Sequence, residues 1–339
     1  MSDESSRPSH HRAGGGFRNP WPGGTPRGLG GVLRWMFYDR VVHPREKDPP
    51  RSAFPLVQSS FFSPRARAKT LGATWVGHST VLVQLGATNI LTDPMWSERA
   101  SPVSFAGPRR VVPAAVSLDA LPPLDLVLLS HNHYDHLDEV TVRALVARNP
   151  EATWVVPLGV AAFVRAGGAH NIVELDWWQV MRTGEVEVTC TPAQHFSGRS
   201  INDRDLTLWC SWSVRSHDLA LYFGGDSAYH PEYPAIASRC GPFDAVLLPI
   251  GAYEPRWFMR AVHMNAQEAV RSYRDLVAGT SRDRRTIMVP IHWGTFKLTD
   301  EPLDEPPAKL LEAWDDAGLS RDDLWLLRHG ESRHVTIGA

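Results

Sequence analysis
A chain of 339 residues, 43% hydrophobic and 21% charged, can bury a large core and has the balance of a folded globular protein. Its net charge of −2 gives no electrostatic footing for nucleic acid, and no run approaches the roughly 18 apolar residues that span a bilayer. Cys190, Cys210 and Cys240 include no CxxC pair and read as free thiols in a reducing compartment; the start lacks an apolar signal segment, so a cytoplasmic location is expected.

Residues 1–27, rich in Gly, Pro, Ser and His, read as a disordered tail in which His10 and His11 are idle. Residues 28–70 are expected to form an N-terminal helix followed by a Pro- and Arg-rich wrapping arm. In that helix Leu33, Met36 and Phe37 share an apolar face with Trp35 beside them, which packs on the main body or meets a membrane surface. Residues 71–339 are expected to form one domain. Its predicted strands begin with Thr74 to Val76, a turn at Gly77-His78-Ser79, and a hairpin of Thr80 to Leu85 with Asn89 to Thr92, after which Asp93-Pro94 breaks the pattern. Leu126 to Ser130 is a strand, followed by a helix from Glu139 to Arg148 with Asp138 at its cap. Trp154 to Pro157 is a short apolar run and Leu158 to Ala166 a helix. Further strands are predicted at Glu185 to Thr191, Leu206 to Val214, Leu219 to Phe223, Ala245 to Pro249, Thr286 to Ile291 and Leu324 to Leu327. One helix opens at Asn265, with Glu268 completing a capping box, and another runs from Ala308 to Ala317 and stops at Gly318. Strand runs followed by helices, occurring twice, imply an α/β protein of two packed sheets with helices outside.

The chemistry concentrates after the Leu126 strand, in Ser130-His131-Asn132-His133-Tyr134-Asp135-His136-Leu137-Asp138, where the six residues from His131 to His136 place three imidazoles and one carboxylate on a strand-to-helix turn. The carboxyl end of a buried strand is where open α/β sheets hold their ligands. Imidazole and carboxylate suit zinc, iron or manganese. His131 and His133 alternate, so both can face one cation, while Asp135 and His136 point elsewhere and can serve a second. One turn cannot close two sites that each need roughly three or four protein ligands. The same strand-end rule finds His195 after Glu185 to Thr191, Asp226 after Leu221-Tyr222-Phe223-Gly224-Gly225, and His292 after Ile287 to Ile291. Together these are seven candidate ligands, with Asp226 the natural carboxylate to bridge two cations.

HxHxDH with a later His, a Gly-Asp and a final His resembles the metallo-β-lactamase superfamily. The runs Trp75-Val76-Gly77-His78-Ser79-Thr80, Leu91-Thr92-Asp93-Pro94, Pro249 to Met259 and Ile291-His292-Trp293-Gly294-Thr295-Phe296 are similar to the N-acyl-phosphatidylethanolamine-hydrolysing phospholipase D family. The resemblance spans about Leu33 to Arg333 and implies an αββα sandwich of two mixed β-sheets flanked by helices. Carried over by position, it assigns His131, His133, His195 and Asp226 to one zinc ion and Asp135, His136, Asp226 and His292 to a second, with the native metal left open. It matches His263 to an active-site histidine and Arg199 to an arginine near a bile-acid site. Val262 departs from the polar residue of the animal enzymes. A homodimer is implied as well.

The implied activity is hydrolysis of N-acyl-phosphatidylethanolamine to N-acylethanolamine and phosphatidic acid by in-line attack on phosphorus. Asp135 and Asp226 serve the centre, and His263 stands near the departing alkoxide. Tyr134 and His263 are the expected substrate contacts, and His78 has a structural role beside the site. Peripheral membrane contact with the phospholipid is expected. A lactonase on the same ligands, and a non-catalytic lipid-binding protein with structural metals, are the alternatives that the ligand set alone does not separate.

Overall fold
The computed structural model describes residues 8–43, 45–200, 202–279 and 285–337. Its strands are β1 (Thr70–Gly77), β2 (Thr80–Leu85), β3 (Thr88–Thr92), β4 (Leu126–Leu128), β5 (Thr153–Pro157), β6 (Ile172–Leu175), β7 (Val180–Thr183), β8 (Val186–Thr191), β9 (Ser211–Ser216), β10 (Leu219–Phe223), β11 (Ala245–Pro249), β12 (Ile287–Ile291) and β13 (Ser332–Thr336). They form a seven-stranded sheet, β13-β1-β2-β3-β4-β5-β6, and a six-stranded sheet, β12-β11-β10-β9-β8-β7. Both sheets are mixed. Pairing is antiparallel through β13, β1, β2 and β3 and parallel from β3 to β6; the second sheet is antiparallel from β7 to β10 and parallel from β10 to β12.

The layers follow from side-chain alternation. Leu126 and Leu128 of β4 enter the core between the sheets, with Leu71, Trp75, Val188, Val214, Leu221 and Val289. Val127 and Leu129 face the other way and pack under the Glu139–Arg148 and Ala161–Ala166 helices through Val142, Leu145 and Val164. A strand buried on both faces reads as an unbroken apolar run, which is why alternation is missing there. The second sheet repeats the arrangement: Tyr222, Val246, Leu248 and Met288 meet Tyr273 and Leu276 of the Ala266–Val277 helix, and Leu310 and Trp314 of the Glu305–Asp316 helix. The result is the expected αββα sandwich. Asp138 caps its helix by accepting from Val140 N, and Asn265 and Glu268 close a reciprocal capping box. Each such cap contributes about 1 kcal/mol.

The sequence reading departs from the structure in several places. The predicted strand at Leu206 to Val214 starts only at Ser211, because the preceding backbone bonds across to other loops: Leu208 N donates to Leu158 O at 2.8 Å and Cys210 N to Ser130 O at 2.9 Å. Leu324 makes a single bridge to Met288 rather than a strand. Strands β6, β7 and β13 lack an apolar run, since they are short and partly exposed. The tail reading fails for residues 8–27, while residues 1–7 lie outside the described residues. His10 and Phe17 are buried, Phe17 N donates to Asp205 O, and both His10 and His11 bond to Asp176. Residues 29–42 are helical as expected, with Arg34–Asp39 in π geometry. The face that packs is not the predicted one. Trp35 is buried, whereas Leu33, Met36 and Phe37 are exposed, Phe37 to 69%.

Candidate metal centre
The parallel strands of both sheets end on one side of the sandwich, and four of those ends carry a His or an Asp that joins the cluster. Asp93 follows β3, His131 follows β4, Asp226 follows β10 and His292 follows β12. Bringing the two sheets' tips together requires unusual backbone. Gly225 has φ +56°, and a Cβ there would lie 2.4 Å from that of Ser130. His78, Asp93 and His292 adopt positive φ without being glycine, a conformation that costs energy and clusters at functional sites.

Three imidazole nitrogens converge first. His131 Nε2 is 2.7 Å from His133 Nδ1, which is 3.2 Å from His195 Nε2. The opposite nitrogens are already engaged: His131 Nδ1 meets Ser130 Oγ at 2.9 Å, and His195 Nδ1 donates to the Val262 carbonyl at 2.9 Å. Because Ser130 Oγ gives its hydrogen to Asp93, His131 Nδ1 must be the donor to it. The Nε2 atoms of His131 and His195 therefore present lone pairs to a common point, an arrangement that a cation resolves. Burial, followed by the neighbouring imidazoles, pushes His131 well below its ordinary pKa and His133 to about 3; burial holds His195 at about 4 despite Asp226.

The second group is anchored by carboxylates. Asp226 Oδ2 lies 3.1 Å from His136 Nε2 and 3.0 Å from His292 Nε2, and 3.8 Å from His195 Nε2, so it stands between the two groups. Asp135 Oδ2 is 3.3 Å from His136 Nε2 and 3.6 Å from His292 Nε2. Burial would disfavour charge here, yet Asp226 and Asp135 outweigh it: His136 is raised well above its ordinary pKa and His292 to about 9. The site thus favours positive charge at this point. His136 Nε2, Asp226 Oδ1, and both ring nitrogens of His292 are buried without a hydrogen-bond partner. Buried N and O atoms without partners, gathered around two points, fit a pair of divalent metal ions that would take the place of protons on His136 and His292.

All seven predicted ligands therefore meet. His263 joins them, its Nδ1 4.0 Å from Asp226 Oδ2, buried and unpartnered. Tyr134 does not face the cluster: its hydroxyl donates to Arg199 O at 3.1 Å, and it lines a cleft of about 490 Å³ whose lining includes none of the clustered histidines. Arg199, which the resemblance matches to an arginine near a bile-acid site, has a buried side chain that braces the turn. Its guanidinium lies 3.9 Å over the Tyr134 ring and donates to the carbonyls of Asn132 and Leu137 at 2.9 and 2.8 Å, which fixes the His-rich turn.

The sequence reading did not place Asp93 in the site. It is fully buried, accepts from Ser130 N at 2.7 Å and Ser130 Oγ at 2.6 Å, and takes His136 Nδ1 at 2.6 Å. It thus orients two ligands at once, a role carboxylates commonly play behind metal-binding histidines. The strand-end rule that found His292 would have found it too. His78, placed beside the site by sequence, bonds Asp135 Oδ2 through Nε2 at 2.9 Å.

A model of the beta-lactamase superfamily domain matches residues 88–293. A Mycobacterium tuberculosis protein is 45% identical over 83% of this chain and 73% of its own. The Caenorhabditis elegans protein named N-acyl-phosphatidylethanolamine-hydrolyzing phospholipase D is 40% identical over 75% of this chain and 71% of its own. The solved structure of isothiocyanate hydrolase from Delia radicum gut bacteria shares the fold, with a TM-score of 0.59 at 23% identity over 77% of this chain and 98% of that one.

Proposed function
The chain belongs to the N-acyl-phosphatidylethanolamine-hydrolysing phospholipase D family of the β-lactamase superfamily, a group of metal-dependent hydrolases, and from that premise we propose that it is a dinuclear zinc phosphodiesterase. Its substrate on this reading is N-acyl-phosphatidylethanolamine, as the name of the worm relative suggests. His131, His133, His195 and Asp226 would hold one ion, and Asp135, His136, Asp226 and His292 the other. Such a pair supplies Lewis acidity and brings the pKa of water towards neutrality.

The observation that supports the lipid assignment is an apolar cluster between the N-terminal helix and the candidate centre. Trp35 stacks on Phe258 with ring centroids 5.2 Å apart and packs with Met259 and Val262. Phe196 joins that cluster and lies 4.5 Å from the His133 ring and 4.8 Å from His195. The cluster starts at the helix whose Leu29, Leu33, Met36, Phe37 and Val41 are exposed, with Arg34 and Arg40 among them. An apolar face edged by arginines suits the headgroup boundary of a membrane, and the cluster of Trp35, Phe258 and Phe196 links that face to the rings of the centre. Among the described residues no helix is long and apolar enough to cross a membrane.

Hydrolysis adds the oxygen of water to phosphorus and breaks the phosphorus–oxygen bond to the ethanolamine carbon chain. The products are phosphatidic acid and N-acylethanolamine. Burial, reinforced by His195 and His292 against the pull of Asp226, keeps His263 well below its ordinary pKa and hence neutral. A neutral ring can take the proton that water releases and pass it to the departing alkoxide.

The test is digestion of a mixed-lipid vesicle, read by mass spectrometry, with His292→Ala as control. Chelator-sensitive release of N-acylethanolamine and phosphatidic acid supports the reading. Bound metal with intact phosphodiesters, or opening of lactones alone, rejects it.

A further inference from the structure
The arm of residues 8–24 is far from the centre in sequence, yet it touches the backbone of a ligand. Asn19 Nδ2 donates to the carbonyl of His195 at 2.8 Å, and its Oδ1 accepts from Trp209 Nε1 at 3.0 Å. The same indole N–H reaches the Ala193 carbonyl at 3.0 Å, so one amide ties both sides of the His195 loop. The arm lies flush on that loop at Gly24, where a Cβ would come within 3.1 Å of the Gln194 carboxamide. It is fastened on both sides of Asn19. His10 and His11 each place Nε2 2.7 Å from one oxygen of Asp176, and the His10 ring stacks on Trp177 at 4.2 Å. Beyond Asn19, Trp21 stacks between Trp177 at 5.6 Å and the buried His230 at 4.8 Å.

We propose that Asn19 is a positioning residue for His195, held in place by the clasp of His10 and His11 on Asp176. This rests on the reading of His131, His133 and His195 as a metal site. The ring of His195 is oriented by Val262, and its backbone by Asn19; the two bonds together fix where Nε2 points. Partners behind a metal ligand typically contribute 10- to 100-fold in affinity.

The experiment equilibrates zinc-loaded protein against a graded chelator and counts zinc per chain, with thermal unfolding measured in parallel. It compares the unaltered chain, Asn19→Ala, and the double variant His10→Ala with His11→Ala. Asn19→Ala is expected to hold full zinc at saturation and to lose one ion at roughly tenfold higher free zinc than the unaltered chain. The double variant moves the same way by a smaller factor. Folded variants whose zinc-release midpoint is unchanged, whatever their melting temperature, overturn the proposal and leave the metal reading intact. If Asn19→Ala does not fold, the double variant decides by the same criterion. An unaltered chain that takes up no zinc sinks both.

Discussion
His78 and Asp135 form one buried pair, Nε2 to Oδ2 at 2.9 Å, although they lie on the turns after β1 and β4. Burial, with His292 adding to it, pushes His78 down to about 3, so it meets Asp135 as a neutral donor. It therefore fixes which Asp135 oxygen faces His136 and His292 without neutralising the carboxylate. We expect His78→Phe to keep the fold and to weaken the Asp135-containing site by about 10- to 100-fold. Zinc content against a chelator series checks this, and an unchanged release curve refutes it.

Asp226 is the residue both groups share. Asp226→Ala should leave the His131, His133 and His195 trio, and the group of Asp135, His136 and His292, without their common carboxylate. Zinc content should fall from two ions to one or none, and turnover by at least about a hundredfold. Elemental analysis on the purified variant, beside circular dichroism to confirm folding, gives the answer. Two retained ions would show that the carboxylate is not shared.

The sandwich was legible because its strands are buried on both faces or alternate cleanly, and the ligands because each ends an apolar run. His131, His195, Asp226 and His292 all obey that one rule. Asp93 obeys it as well, but the proline after it reads as a break in the strand pattern. The bracing role of Arg199 was not legible, because a guanidinium over a tyrosine ring depends on a fold-distant partner that no local pattern encodes. The arm was misread for a similar reason. Gly, Pro and His compose disordered tails and also chains that lie flat on a surface. What distinguishes them is Asp176, distant in sequence from His10 and His11. The 29–42 helix was found by its spacing, but which face is buried was set by Phe258 and Met259.

Phe37 is 69% exposed on that helix. Burying a phenylalanine in an apolar phase contributes roughly 1.5–3 kcal/mol, about 10- to 100-fold in partitioning. Phe37→Glu should reduce co-sedimentation with phospholipid vesicles by at least about tenfold. Hydrolysis of a short-chain, water-soluble phosphodiester should stay within about twofold, since Phe37 is not part of the metal cluster. Equal vesicle binding by both proteins would show that this face meets something other than lipid.

His230 offers a pH test away from the ligands. It is fully buried between Trp21 and Tyr233, with ring distances of 4.8 and 4.2 Å, and burial lowers it to about 3. Its folded value is below the roughly 6.5 of the unfolded chain, so the unfolded state binds more protons between the two. The stability it contributes is complete above about pH 6.5 and is lost as pH falls towards 3, at roughly 1.4 kcal/mol per pH unit. At pH 5 that loss is about 2 kcal/mol. His230→Phe keeps the stack and removes the proton site. It should cost no more than about 1 kcal/mol at pH 7.5, through the lost acceptor for Glu232 N, and should melt higher than the unaltered chain at pH 5. Melting curves of both proteins from pH 7.5 to 5 decide the matter, and parallel slopes would mean that His230 is not the group whose protonation loosens the fold.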